Sequence, residues 1–163
     1  MKLIPSHNYI TSPWKNGMGI TTQMAIFPQD ASLKELNFNW RISSASIKSE
    51  NEFSQFLGFK RILTVVKGNG LILNQHTLKQ FEVFHFDGSE KINCNLLDGP
   101  VEDLGIIYNP NKVNAEMKII SKTKLELNSG YHFLFTDNQC FEINSPETIE
   151  IKNLSILISI YNI

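Results

Sequence analysis

Short runs of β-branched and aromatic residues, separated by polar turns, recur along the chain and constrain its fold more than any other feature. Residues 62–66 and 71–73 flank a Lys-Gly-Asn-Gly turn, a pattern typical of a β-hairpin. Only residues 31–36 offer even a short helical turn, so we predict an all-β antiparallel chain with little helix. Further strands are predicted over residues 81–86, 106–108, 117–120, 131–136, 140–143, 148–151 and 155–161.

The second half of the chain echoes the first at an offset of 70 residues. Residues 63–74 and 133–144 both contain a strand, a polar turn, a second strand and a closing asparagine. Many short strands with an internal repeat favour two small antiparallel barrels or a sandwich. We expect one compact unit of 163 residues with approximate halves 1–110 and 111–163.

The composition is that of an ordinary globular protein. Lys and Arg total 15 against 16 Asp and Glu, so the net charge of −1 offers no basic surface for nucleic acid. No apolar stretch approaches the roughly 18 residues that a membrane span needs, and we therefore expect a cytoplasmic protein without a membrane partner. Cys94 and Cys140 lie far apart without CxxC spacing, so we interpret them as core thiols.

The usual metal and nucleophile motifs are missing. The four histidines, His7, His76, His85 and His132, stand apart, and no His-x-His pair occurs. The chain also lacks a Gly-x-Ser-x-Gly elbow and a phosphate-binding Gly-x-x-x-x-Gly-Lys loop. We therefore expect neither a bound metal nor a cofactor.

The two arginines are the strongest candidates for functional residues, because only two of the 15 basic residues are Arg. Arg41 and Arg61 both lie in strand-like, apolar surroundings, where a half-buried guanidinium requires a planar anionic partner that Lys cannot bind in the same way. Two interpretations are open. Each arginine either pairs internally with Asp98 or Asp103, or faces a cavity and binds the carboxylate of a ligand.

Two further segments stand out. In residues 13–22, two closely spaced glycines follow Trp14 and Asn16, so the backbone could approach a ligand closely, or Trp14 could plug the end of a barrel. In residues 96–104, an Asp-Gly-Pro turn at Asp98 precedes a strand that contains Asp103. Asp98 is therefore first of all a candidate turn residue.

Several of these motifs occur together in a recognisable order. They are Pro13-Trp14-Lys15-Asn16-Gly17-x-Gly19-x-Thr21, Phe38-x-Trp40-Arg41-Ile42-Ser43-x-Ala45, Phe53-Ser54-x-Phe56-x-Gly58-x-x-Arg61, Phe86-Asp87-Gly88 and Leu97-Asp98-Gly99-Pro100-x-x-Asp103-Leu104. Covering about residues 5–110, the set resembles the HutD/Ves family. Gln23 departs from the family pattern, in which Glu is common at that position, and Gly105 stands in the place of an Asn.

The resemblance implies a cupin-like (RmlC-like jelly roll) double barrel, a bicupin without the metal-binding histidines. Members of the family are associated with bacterial histidine utilisation, where HutD is thought to bind a pathway intermediate such as N-formyl-L-glutamate; Ves is a stress-linked relative. The resemblance also implies a ligand pocket formed by Trp14, Lys15, Asn16, Arg41 and Arg61, with Asp98 and Asp103 nearby.

Three functions are compatible with these observations. The first is a metal-independent small-molecule binding protein for a small carboxylate. The alternative is a metal-independent cupin enzyme, an isomerase, epimerase or hydrolase, with His85 or Asp103 as general base. The third is a protein-interaction module. We also expect a homodimer, because exposed sheet edges often pair.

Overall fold

The computed structural model describes all residues, 1–163, and confirms an all-β chain. Its single helical element is the 3₁₀ turn Ser6–Asn8, and residues 33–36 form turns where a helical turn was predicted. The strands are β1 (Lys2–Ile4), β2 (Ile10–Pro13), β3 (Gly19–Phe27), β4 (Trp40–Ile47), β5 (Asn51–Glu52), β6 (Lys60–Lys67), β7 (Leu71–Leu73), β8 (His76–Leu78), β9 (Val83–Asp87), β10 (Asn93–Leu96), β11 (Val101–Tyr108), β12 (Val113–Ile120), β13 (Thr123–Leu127), β14 (Tyr131–Thr136), β15 (Gln139–Ile143), β16 (Glu147–Ile151) and β17 (Ser155–Asn162).

The chain divides into two compact units, and Tyr9–Pro110 forms the larger one. It contains a six-stranded sheet in the order β2-β3-β4-β11-β6-β9 and a four-stranded sheet in the order β5-β10-β7-β8. Both sheets contribute to one apolar core, in which Leu63 and Val65 of β6 pack with Leu71 and Leu73 of β7. Alternate residues of a strand face opposite sides, so residues 61, 63 and 65 share one face of β6.

The hairpin predicted over residues 62–73 is wrong. β6 pairs with β11 and β9, whereas β7 pairs with β10 and β8 in the other sheet. Gly68 and Gly70 in the connection have φ of 98° and 121°, and a Cβ on Gly70 would lie 2.6 Å from the carbonyl oxygen of Leu78. The glycines therefore allow the chain to cross from one sheet to the other in a crowded place.

The corresponding segment of the second half does form a hairpin. β14 and β15 pair antiparallel through the turn Asp137-Asn138, in which both residues have positive φ. Two positive φ values at the centre of a two-residue turn match the twist of paired strands. The two similar sequence patterns thus give different pairings, because their turns differ.

Residues Met1–Asn8 and Asn111–Ile163 form the smaller unit. Its five-stranded sheet has the order β1-β15-β14-β17-β12, and β13 and β16 form a separate pair. His132 is 1% exposed there, with Nδ1 2.9 Å from Ser159 Oγ and Nε2 3.0 Å from the Asn128 carbonyl oxygen. Both ring nitrogens have partners, which makes His132 a core histidine.

Closure of the sheets is the part of the fold prediction that stays unconfirmed. None of the four sheets closes on itself, so the double barrel remains a prediction.

Cys94 and Cys140 are free and buried, and burial raises the pKa of each thiol to about 12. No three His, Cys, Asp or Glu side chains cluster as metal ligands would, and no helix has the length and apolarity to cross a membrane.

Candidate functional site

A cavity of about 650 Å³ opens in the unit Tyr9–Pro110. Its wall is built from one face of β2, β3, β4, β6 and β11 together with the segment 51–56. Six of the seven sequence-predicted site residues line it: Trp14, Lys15, Asn16, Arg41, Arg61 and Asp103.

The sheet register explains how the two arginines reach the same cavity. β11 lies between β4 and β6, and its Ile107 is opposite Arg41 on one side and Arg61 on the other. The backbones of the two arginines are therefore about 10 Å apart in one row. Asp103 lies four residues before Ile107 on the same face of β11, and Gly105 between them leaves the wall without a side chain.

Arg61 is half-buried among three aromatic rings. Its guanidinium carbon lies 5.3 Å from the ring centres of Phe53 and Phe56 and 4.8 Å from that of Phe86. Nη1 donates to the Ser54 carbonyl oxygen at 3.0 Å. Burial lowers the pKa of Arg61 to about 10, with Asp103 opposing and Arg41 reinforcing that shift, so the group stays charged at neutral pH.

Arg41 is 7% exposed and has only neutral partners. Nε donates to Gln23 Oε1 at 2.7 Å and Nη1 to Ser43 Oγ at 3.4 Å, while burial lowers the pKa of the group. No carboxylate lies within 4.0 Å of either arginine. The internal ion pair with Asp98 or Asp103, one of the two interpretations from sequence, is therefore wrong.

Asp103 is the one buried carboxylate in the wall of the cavity, at 8% exposure. The strand register shifts at Glu102/Asp103, and Oδ1 accepts a hydrogen bond of 2.8 Å from the Ala45 backbone N–H. Burial raises the pKa of Asp103 to about 6, although the Ala45 N–H and the charge of Arg61 both act in the opposite direction. The second oxygen, Oδ2, has no hydrogen-bond partner in the protein.

Trp14 is held in place by the turn between β2 and β3. Its Nε1 donates to Thr21 Oγ1 at 2.8 Å, and its ring lies against Gly19, where a Cβ would come within 2.7 Å of Trp14 Cε3. The Met18 N–H donates to Asn16 Oδ1 at 2.9 Å, and Gly17 has a φ of 71°. The two glycines of the motif thus have separate functions, since Gly17 permits the turn and Gly19 makes room for the indole.

Asp98 lies outside the cavity lining. It is exposed in the turn after β10, where Oδ2 accepts a hydrogen bond of 3.0 Å from Asn69 Nδ2. His85 is exposed on β9 between Phe84 and Phe86, so it faces away from the side that contacts Arg61. The structure therefore brings neither residue into the site.

Sequence reasoning missed the residues that hold the arginines. These are Gln23, Ser43, Ser54 and the rings of Phe53, Phe56 and Phe86. Spacing by two offers a signal for part of this set, because Thr21 and Gln23 share a face of β3, as Arg41 and Ser43 do of β4. Phe53 and Phe56 share one motif with Arg61, whereas Phe86 comes from a distant segment that no local pattern connects with them.

The chain is similar to known proteins in both sequence and fold. The family model described as HutD matches residues 6–159. The chain belongs to the HutD family. The resemblance recognised from the motifs of residues 5–110 is thereby confirmed and extended over most of the smaller unit.

Relatives of this HutD family member include an uncharacterised 21.2 kDa protein of Pseudomonas putida encoded in the hutC 3′ region. It is 31% identical over 150 residues, which cover 88% of this chain and 77% of that protein. Protein Ves of Escherichia fergusonii is 33% identical over 116 residues, 68% of this chain and 59% of Ves. HutD from Pseudomonas fluorescens SBW25, solved in a formate condition, superposes with a TM-score of 0.85 at 24% identity, over 99% of this chain and 98% of that one.

Proposed function

We propose that this HutD-family protein binds a small carboxylate in the cavity of the unit Tyr9–Pro110, as a binding or sensing protein connected with histidine utilisation. N-formyl-L-glutamate is the ligand we favour. The connection is supported by the Pseudomonas putida relative, which is named for its place beside hutC. The cytoplasm as compartment and the homodimer stay predictions.

The observation that carries the proposal is the pair of uncompensated guanidinium groups. Arg41 and Arg61 line one cavity, and neither has a carboxylate within 4.0 Å. A guanidinium has five N–H donors, of which the protein uses two at Arg41 and one at Arg61. A ligand carboxylate would satisfy the remaining donors through paired hydrogen bonds and would supply the missing negative charge.

The test is thermal unfolding with formate, glutamate, urocanate and N-formyl-L-glutamate. A ligand at about 100 times its Kd adds about 2.7 kcal/mol to the free energy of unfolding, which raises Tm by several degrees. In the Arg61→Ala variant we expect that rise to disappear. Lys60→Ala is the matched control, because it removes a neighbouring positive charge from the exposed face of β6.

The proposal fails if no acid raises Tm, or if Arg61→Ala binds as tightly as the wild type. The enzyme alternative now depends on Asp103 alone, since His85 lies outside the cavity. Turnover of a bound acid, followed by NMR and abolished in Asp103→Ala, would favour that alternative.

A further inference from the structure

The cavity proposed to bind a carboxylate also contains a carboxylate of its own, that of Asp103, which the binding of an anion does not require. Asp103 is buried in the same cavity as the two arginines, yet it lies more than 4.0 Å from both guanidinium groups. Opposite charges that line one cavity without touching leave a space between them. A ligand that complements both must have an anionic end for the arginines and a hydrogen-bond donor for the carboxylate.

The two oxygens of Asp103 have different surroundings. Oδ1 is occupied by the Ala45 N–H at 2.8 Å, opposite the point where β6 has one extra residue, Val66, relative to β11. Oδ2 accepts no hydrogen bond from a protein group, and the residue lines the cavity. An ionised carboxylate oxygen only accepts hydrogen bonds, so this position attracts an N–H or O–H group and repels a second acceptor.

We infer that Asp103 is a specificity-determining residue and that the cavity selects acids with an N–H or O–H donor close to the carboxylate, such as N-acylated amino acids or hydroxy acids. Simple acids of the same shape bind more weakly. This inference rests on the proposed function, because it assumes that the carboxylate of the ligand binds at the arginines. It adds a second recognition group, so ligands that have only a carboxylate bind more weakly.

Three acids of matched shape test the inference by calorimetry at about pH 8. N-acetylglycine has an N–H next to the methylene that carries the carboxylate, levulinate has CH₂ in its place, and acetoxyacetate has an oxygen. We expect N-acetylglycine to bind wild type about tenfold to a hundredfold more tightly than levulinate, which is the range for a hydrogen bond to a charged group. Acetoxyacetate is expected to bind most weakly, because its oxygen meets the carboxylate.

Asp103→Asn provides a sharper readout than loss of binding. The Ala45 N–H still needs an acceptor, so the amide oxygen takes the Oδ1 position and the NH₂ group faces the cavity. We therefore expect the order to invert, with acetoxyacetate binding this variant more tightly than N-acetylglycine. Asp98→Asn, an equal change of charge outside the cavity, is expected to keep the wild-type order.

The outcomes separate the inference from the proposal on which it rests. Equal affinity of the wild type for all three acids overturns the role of Asp103 and leaves carboxylate binding intact. Failure of all three to bind overturns the inference, and it overturns the proposed function as well when no acid of the first panel raises Tm. If Asp103→Asn unfolds below the assay temperature, the wild-type order of the three acids still decides the question.

Discussion

At the scale of single residues, the charge of the cavity depends on which groups neighbour the arginines. Arg41 is bound by the amide of Gln23, a neutral acceptor, and Arg61 by a backbone carbonyl and aromatic rings. Neither arrangement cancels the positive charge. Besides the exposed Lys15 and Glu52, the cavity therefore offers two arginine cations and one buried carboxylate, which suits a ligand with an excess of negative charge.

Replacing Gln23 by Glu tests this charge balance. The 2.7 Å contact with Arg41 Nε would become an ion pair, so the carboxylate of a ligand would meet less positive charge. We expect the Kd for N-formyl-L-glutamate to rise about tenfold in isothermal titration. Thr22→Glu is the control, because it adds the same charge on the opposite face of β3; equal weakening by both variants would contradict a local effect.

Arg61→Lys tests whether the shape of the guanidinium matters beyond its charge. Lys keeps the positive charge but cannot form paired hydrogen bonds to a carboxylate, nor lie flat against the three rings. We expect carboxylate affinity to fall at least about tenfold while Tm without ligand changes little. Wild-type affinity in this variant would show that a point charge is sufficient.

At the scale of elements, the turn between β2 and β3 builds the aromatic wall of the cavity. Trp14 precedes the turn, lies against Gly19 at its end, and is anchored on Thr21. The segment closes on itself through the Trp14 N–H, which donates to the Gly19 carbonyl oxygen at 2.9 Å. The order of residues in the motif thus follows from one compact packing arrangement.

Gly19→Ala should disrupt this arrangement. The new Cβ would lie 2.7 Å from Trp14 Cε3 and 2.8 Å from the Ser46 carbonyl oxygen, so both the indole and a neighbouring strand must move. We expect a loss of about 1–3 kcal/mol in the free energy of unfolding, measured by urea denaturation, and weaker carboxylate binding. Thr21→Val, which removes only the acceptor of Trp14 Nε1, should cost about 1 kcal/mol. Full wild-type stability of Gly19→Ala would contradict the packing argument.

At the scale of the whole molecule, burial of Asp103 couples folding to pH. Burial raises its pKa from the ordinary 3.8 to about 6, so the folded chain retains a proton that the unfolded chain releases between these values. Protonation therefore favours the folded state. The contribution of Asp103 to stability is fully present below the unfolded pKa of 3.8, is lost as the pH rises through the folded pKa of about 6, and is constant at higher pH.

Asp103→Asn removes this coupling. We expect the free energy of unfolding of wild type, relative to that of the variant, to fall by about 3 kcal/mol between about pH 4 and pH 7, since each pH unit of displacement corresponds to about 1.36 kcal/mol. Denaturant titrations at several pH values measure the difference. Parallel curves for the two proteins would show that Asp103 titrates normally.

Much of the site could be predicted from sequence, and the missing part has a common cause. The rarity of arginine selected Arg41 and Arg61, and the motif 13–22 selected Trp14, all of which line the cavity. Asp98 and Asp103 were both predicted near the pocket, although the Asp-Gly-Pro sequence already indicated a turn at Asp98 and a strand at Asp103. The course of β11 decides which of them lies in the cavity, since it buries Asp103 beside Ala45 and leaves Asp98 exposed in a turn.

The sequence by itself determined the all-β character, the family and the residues that could bind an anion, because strand propensity, turn residues and residue type are local properties. The tertiary structure decided which strands pair. Similar patterns at 63–74 and 133–144 became a crossing between sheets and a hairpin, and His85 and Asp103 ended outside and inside the cavity. These outcomes depend on contacts between distant segments, whose energies no local pattern contains.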